Sequence, residues 1–370
     1  MDFFDGVIDI DEGWNRGLSA VIRALGATLI GTDPRQVGRI SSGLRAMTQM
    51  APGGINDQAI AALENACLDI KAKALGIPVY ELFGGPYRTS ARAYWSHCGS
   101  FRVRNADYFA DVLGTRPIQS VDDYSWLGEE AVDRGFSAAK LNPVVFGPDR
   151  PRLINPGFDP GGDLAGTLPA MVADAITDQL TAFSKGSGAG VDLLLDVNFA
   201  FKPAALKTLA SVVQPFDLLW LEADVHNPSA LADVRRSSAT PIGSLEAVYG
   251  QRGYRPYFEK QAVDVAIVDV LWNGFFESLK IANLADAFSI NFAPHNLYGP
   301  LATLMGLHLC AAAPNLQIME VEGDDVPWLG DLLTSPPVLE AGHLLIPSAP
   351  GWGADVNEDA VLAHPAEAQS

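Results

Sequence analysis

Four carboxylates and one histidine stand at the ends of successive short apolar runs: Asp196 closes VDLLLD, Glu222 closes LLWLE, Glu246 closes PIGSLE, Asp269 closes VAIVD and His295 closes SINFAPH. They recur at intervals of 26, 24, 23 and 26 residues. Two carboxylates about 4 Å apart repel by roughly 4 kcal/mol at an effective dielectric near 20, so Asp196, Glu222 and Glu246 cannot cluster without a compensating cation. An all-oxygen ligand set favours magnesium, manganese or calcium over zinc. A single strand-end Asp is often no more than a helix cap, but acids at the ends of three consecutive units point to a site.

The elements that must position them follow from the same pattern. Each run is rich in Val, Ile or Leu and precedes a stretch of helical composition, which predicts repeated βα units and a parallel sheet buried on both faces. In a parallel barrel every strand's C-terminal end opens on one mouth, where residues distant in sequence meet. Upstream, residues 18–50 read as helix, turn and helix with the turn at Gly31-Thr-Asp-Pro34, and a longer helix is expected over 56–75. Its Ile60, Leu63, Cys67, Ile70 and Ala74 share one face with charge opposite, and Gly76 with Pro78 ends it. ELFGGPYR at 81–88 then leads to a first barrel strand at 91–99.

Composition bounds the partners. A chain of 370 residues with 48% hydrophobic and 19% charged content can bury a large core. Its 25 Lys and Arg against 44 Asp and Glu give a net charge of −19, which repels nucleic acid and anionic membrane surfaces. An anionic substrate must be drawn by local positive charge, and Arg150 or Arg152 in the Gly, Pro and Asp-rich insert 147–168 could supply it at the mouth. No apolar run approaches 18 residues, and the segment Met1 to Asp11 carries acids where a signal peptide would carry bases, so a cytoplasmic protein is expected. Cys67, Cys98 and Cys310 have no redox or metal spacing and read as buried thiols. GSGAG at 186–190 precedes a strand, whereas a dinucleotide-binding turn follows one, so it reads as a plain loop. His97 and His226 fall at or just beyond strand ends and are as easily structural as functional.

The run AIAALENACLDIKAKALGIPVYELFGG resembles the end of the capping domain in the mandelate racemase and muconate lactonising branch of the enolase superfamily. The strand-end acids, the segment LWNGFFESLKIANLADAFSI, the FAPH histidine and PGWGADVNEDAV sustain the resemblance over nearly all the remaining chain. It implies an α/β fold, a modified (β/α)7β TIM-type barrel under an α+β cap. The expected boundaries are a cap at 1–90, a barrel at 91–342, and a segment 343–370 packing back toward the cap. By position it implies that Asp196, Glu222 and Glu246 bind one Mg2+, with Mn2+ a substitute, that Lys140 is the strand-two lysine, and that Asp269 and His295 form a dyad. Glu320 in QIMEVE would sit opposite the substrate carboxylate as a hydrogen-bonding acid, although Glu322 shares its face of the strand and could take that place.

Removing a proton next to a carboxylate puts a second negative charge on an anion, giving an ene-diolate. A magnesium ion and a lysine ammonium stabilise that charge while a positioned base takes the proton. His295 titrates near neutrality and suits the base, with Asp269 fixing its tautomer; a core histidine satisfied by a backbone carbonyl is the plainer alternative.

The chain differs from the family pattern in four places. The strand-two pair reads Lys140-Leu-Asn142, and an amide is no base. Asn198 stands two residues after the first ligand, where galactonate dehydratases carry a histidine, and Glu222-Ala-Asp replaces Glu-Glu-Pro. DGVIDIDEGWNRG leaves room for at most one short cap strand. Asn142 and Asn198 are carried as substrate-binding candidates. The expected function is dehydration of a small anionic hydroxy-carboxylate such as an acid sugar to a 2-keto acid, by a homo-oligomer. Racemisation or epimerisation, cycloisomerisation, or a fold relative without catalysis are the alternatives.

Overall fold

In the computed structural model of the protein, residues 17–147, 151–154, 165–324 and 326–364 are described. Eight parallel strands form the ring: β1 (Ser90–Ser96), β2 (Ala138–Leu141), β3 (Asp192–Asp196), β4 (Trp220–Glu222), β5 (Ile242–Ser244), β6 (Val265–Asp269), β7 (Asn291–His295) and β8 (Met319–Glu322). β1 to β7 pair in chain order and β8 pairs β1. β7 is bridged to the segment leading into β8, Phe292 to Leu316, where the Phe292 N–H donates to Asn315 O at 3.0 Å and the Gln317 N–H to Phe292 O at 2.8 Å. The ring is thereby closed. The strands are short and almost wholly buried because helices cover their outer faces, which is why their sequences run apolar rather than alternating.

Each of the seven strand-to-strand connections carries a helix; after the eighth strand the only helical pieces among the described residues are a 3-10 turn, Leu329–Leu332, and a short helix, Glu358–Ala363. α4 (Asp123–Asp133), α5 (Ala170–Ser187), α6 (Pro203–Val213), α7 (Pro228–Arg236), α8 (Gly250–Glu259), α9 (Phe275–Ala287) and α10 (Pro300–Ala312) give a (β/α)7β barrel. α4 and α5 approach backbone to backbone: a Cβ on Gly186 would fall 1.6 Å from Ser125 O, and one on Gly128 2.4 Å from Phe183 O. The GSGAG segment thus does more than turn the chain, since its first glycine is the contact surface of α5 and its last three residues form a 3-10 turn before β3. The insert after β2 is not a bare loop either: Val144–Val145 pairs antiparallel with Arg152–Leu153, while Arg150 lies outside the described residues.

The cap contributes α1 (Leu18–Gly26), α2 (Val37–Met47) and α3 (Gly54–Leu75). The expected one-sided face of α3 is corrected here. Ile70 is 48% exposed and Ala74 is exposed, whereas Glu64 and Asn65 are buried. These polar side chains weld the cap to the barrel: Glu64 accepts from Ser41 Oγ at 2.6 Å and the Phe276 N–H at 2.8 Å, and Asn65 Oδ1 accepts from the Phe275 N–H at 3.0 Å. A helix pressed against two neighbours loses the single apolar stripe that periodicity detects. The opening segment discussed for a missing cap strand lies, up to residue 16, outside the described residues. After residue 342 the chain lays His343–Leu345 antiparallel on β1, then returns to α3, where Trp352 donates its Nε1–H to Asn65 O and its N–H to Asp69 Oδ1. All three cysteines are buried free thiols. Among the described residues no helix is long and apolar enough to cross a membrane.

Candidate active site

Lys140, on β2, reaches into the barrel mouth and is 1% exposed. Its Nζ lies 3.1 Å from Glu222 Oε2, 2.8 Å from Glu320 Oε1 and 3.7 Å from Asp196 Oδ2. Strands β2, β3, β4 and β8 thus meet on one ammonium. Burial would strip its charge, but Glu222 and Glu320 hold its pKa well above the ordinary lysine value. Glu320 also accepts from Ser96 Oγ at 2.6 Å and from the Asn296 N–H at 2.7 Å. Burial raises this carboxyl, but the Lys140 charge outweighs that and holds it far below the usual range. Glu320 is therefore an ionised acceptor in this arrangement rather than a hydrogen-bonding acid, and it holds Lys140 in place. Glu320, not Glu322, points into this cluster; Glu322 turns to His97, at 3.1 Å, and to the N–H groups of Gly323 and Asp324.

The second cluster is built on β6 and β7, whose last residues, Asp269 and His295, are register partners. His295 Nδ1 stands 2.6 Å from Asp269 Oδ2, and Tyr298 donates its hydroxyl to the same oxygen at 2.9 Å. Asp269 Oδ1 accepts from the N–H groups of Leu271 and Trp272, capping the short helix that follows. Glu246 Oε2 lies 3.5 Å from His295 Nε2. Burial would lower the imidazole, but the Asp269 hydrogen bond and then the Glu246 charge push it up to about 10.

Asp196, Glu222 and Glu246 are brought to the same mouth, though among the described residues no three His, Cys, Asp or Glu side chains are gathered at cation-holding distances. Instead Glu222 and Asp196 lean on Lys140, and Glu246 on His295. Burial raises all three: Glu222 to about 6, Asp196 in the same direction, and Glu246 furthest from its ordinary value. A buried acid cluster with more negative charge than its cations balance, and with only oxygen donors, fits a hard divalent ion.

The two amide candidates are occupied. Asn142 accepts from Ser100 Oγ at 2.8 Å and donates to Asp196 O at 3.3 Å, tying β2 to β3. Asn198 donates its N–H to Asp196 Oδ1 at 2.8 Å and its side-chain amide to Oδ2 at 3.2 Å, from a left-handed backbone with φ 42°. Both orient the first acid.

Asp224, absent from the sequence-derived list, is 6% exposed. Its Oδ1 accepts from Ser244 Oγ at 2.7 Å and from the Leu245 N–H at 3.0 Å, while its Oδ2 is buried without a hydrogen bond. Leu245 sits at φ 95°, strained for a branched side chain, immediately before Glu246. Asp224 therefore holds the bend that aims Glu246. A signal is present in the sequence: Asp224 follows Glu222 by two residues, the spacing that strand alternation keeps on one face. Tyr298, in the loop after β7, and Trp272, in the short helix after β6, flank His295 with their rings at 5.8 and 5.4 Å and carry no such periodicity.

Residues 126–360 match a family model described as enolase C-terminal domain-like, and residues 5–84 one described as the mandelate racemase / muconate lactonizing enzyme N-terminal domain. Among relatives, a D-xylonate dehydratase of Haloferax volcanii is 29% identical over 99% of this chain and 84% of its own length. A D-galactarolactone cycloisomerase of Agrobacterium fabrum is 29% identical over 96% and 88%. The crystal structure of a proposed L-alanine-DL-glutamate epimerase from Burkholderia xenovorans strain LB400 is 40% identical with a TM-score of 0.92, over 96% of this chain and 89% of that one. The same protein has been seen bound to magnesium and fumarate.

Proposed function

The chain belongs to the mandelate racemase and muconate lactonizing enzyme branch of the enolase superfamily, and within it we propose that the protein is a magnesium-dependent hydro-lyase that dehydrates an acid sugar to a 2-keto acid. The observation that carries this reading is the asymmetry of the mouth. His295 is paired with Asp269, whereas the position two residues after Lys140 is an amide bound to Ser100 and Asp196.

Asp196, Glu222 and Glu246 would hold the Mg2+, with Mn2+ a substitute; when bound, the ion supplies positive charge against the second negative charge that develops on the substrate. Lys140 presents its ammonium to the substrate carboxylate, fixed for that task by Glu320. In its neutral form His295 takes the α-proton on Nε2, because its Nδ1–H is committed to Asp269. The imidazolium so formed is stabilised by that carboxylate. One base on one face suffices for elimination, in which the C–O bond at the neighbouring carbon breaks as the C=C bond forms.

The acid-sugar dehydratases among the relatives support the substrate class. An epimerase is the second reading, favoured by the proposed activity of the 40% identical neighbour. Incubation with Mg2+ and a panel of D-xylonate, D-gluconate and D-galactonate in D2O separates the two. Keto-acid release is expected. Deuterium at the α-carbon of both epimers without keto acid would replace the dehydratase with an epimerase. The reading extends to a cytoplasmic homo-oligomer without nucleic-acid or membrane partners, in keeping with a charge of −19.

A further inference from the structure

A second histidine–carboxylate pair stands at the same mouth. His97 follows directly on β1 in a left-handed conformation, φ 46°, which a non-glycine residue adopts at a cost. Its Nδ1 lies 3.1 Å from Glu322 Oε2 and 3.0 Å from Ser96 Oγ. Ser96 gives its own hydroxyl proton to Glu320, so its oxygen is free to accept, and Nδ1 is the nitrogen that carries hydrogen. Nε2 has no hydrogen bond to a described residue. The ring stacks on Phe101 with centroids 5.2 Å apart, and the Glu322 side chain is only 4% exposed while that of His97 is 20% exposed. Charges on Lys140, Glu320, Asp196 and His295 all act on this imidazole. His97–Glu322 thus resembles His295–Asp269 in that a buried carboxylate fixes Nδ1 and leaves Nε2 uncommitted to it, here from the end of β1 and with the more exposed ring of the two.

We propose that His97, oriented by Glu322, is the second acid–base residue of this site and protonates the departing hydroxyl group. The inference rests on the dehydratase reading. His295 Nε2 takes the α-proton, and the electron pair of that C–H bond becomes the C=C bond. The adjacent C–O bond breaks, and the proton of the His97 imidazolium converts the leaving hydroxide to water. The enol that remains regains its keto form when His295 returns a proton to the neighbouring carbon and His97 takes the enol O–H proton. Hydroxy acid becomes keto acid and water, with both histidines restored. Burial first, and then Lys140, lower the proton affinity of His97 in the free protein; a substrate carboxylate beside Lys140 would offset that positive charge and act in the opposite direction.

The test separates proton removal from loss of water. His97→Asn and Glu322→Gln are assayed with Mg2+ and the three acid sugars in D2O, with melting curves recorded for each variant. The expected result for His97→Asn is keto-acid formation slowed at least ~100-fold while deuterium still enters the α-carbon of recovered substrate. A 3-deoxy-3-fluoro acid sugar, whose fluoride needs less help to leave, is expected to restore much of the rate. Glu322→Gln, which retains the side-chain shape, should fall the same way by a smaller factor. Unchanged keto-acid formation in His97→Asn, or equal loss of exchange and elimination in a variant that melts like the wild type, overturns the proposal. If His97→Asn does not fold, Glu322→Gln alone decides by the same comparison. Absence of keto acid with the wild-type protein is a different outcome, and removes the dehydratase reading itself.

Discussion

Asp269 and His295 end adjacent strands in register, and the 2.6 Å contact between Oδ2 and Nδ1 joins them while the other oxygen of the same carboxylate caps a helix. One side chain therefore fixes both the imidazole and the local backbone. Replacing Asp269 with Asn keeps a good helix cap but removes the charge that favours the imidazolium. We expect kcat to fall about 10²–10⁴-fold with little change in melting temperature. His295→Asn should abolish both keto-acid formation and α-proton exchange and leave the response to magnesium intact. Full activity in either variant would exclude His295 as the base.

Metal dependence is read from stability. EDTA should lower the melting temperature and Mg2+ should restore it, by about 2.7 kcal/mol at a hundred times Kd, or several degrees for a chain of this size. Glu222→Gln should remove most of that response. Superimposable melting curves with and without the ion would count heavily against a cation at Asp196, Glu222 and Glu246.

Arg152 is exposed on the short strand that pairs with Val144–Val145. Over a strongly negative protein, local positive charge speeds capture of an anion more than it changes the chemistry. Arg152→Ser should raise KM severalfold with a smaller change in kcat, and more so at low salt. Unchanged kinetics would return the hairpin to a structural role.

His308 predicts an acid-labile contribution to stability. Its Nδ1 accepts from the Tyr80 N–H at 3.2 Å, and burial lowers its pKa to about 3. The unfolded chain binds that proton near pH 6.5, so the contribution is complete above 6.5 and is lost as pH falls from there toward 3. Between pH 6.5 and 5 the wild type should lose about 2 kcal/mol more than His308→Gln in urea titrations. Parallel losses would show that His308 does not titrate on unfolding.

Much of this was legible in the sequence. The strand ends carrying Asp196, Glu222, Glu246, Asp269 and His295 were readable because a buried parallel strand is a short apolar run and its polar last residue stands out. Glu64 and Asn65 were not, because their partners are backbone N–H groups at the start of α9, more than 200 residues away in sequence. Gly186 looks like a loop residue in the sequence because the cost of a side chain there comes from Ser125 O, on another helix. The choice between Glu320 and Glu322 depended on which acid Lys140 meets, and strand periodicity places both on one face.

The ring's seam lies between β7 and β8, joined in the backbone at Phe292 and, at the mouth, by Asn296, whose N–H and side-chain amide both go to Glu320. His295 stands on one side of that seam and Glu320, with the lysine it anchors, on the other. A transient parting of these two strands would separate base from ammonium without unfolding the barrel. Amide hydrogens along the seam should therefore be the barrel's quickest to exchange, and a ligand spanning both sides should slow them.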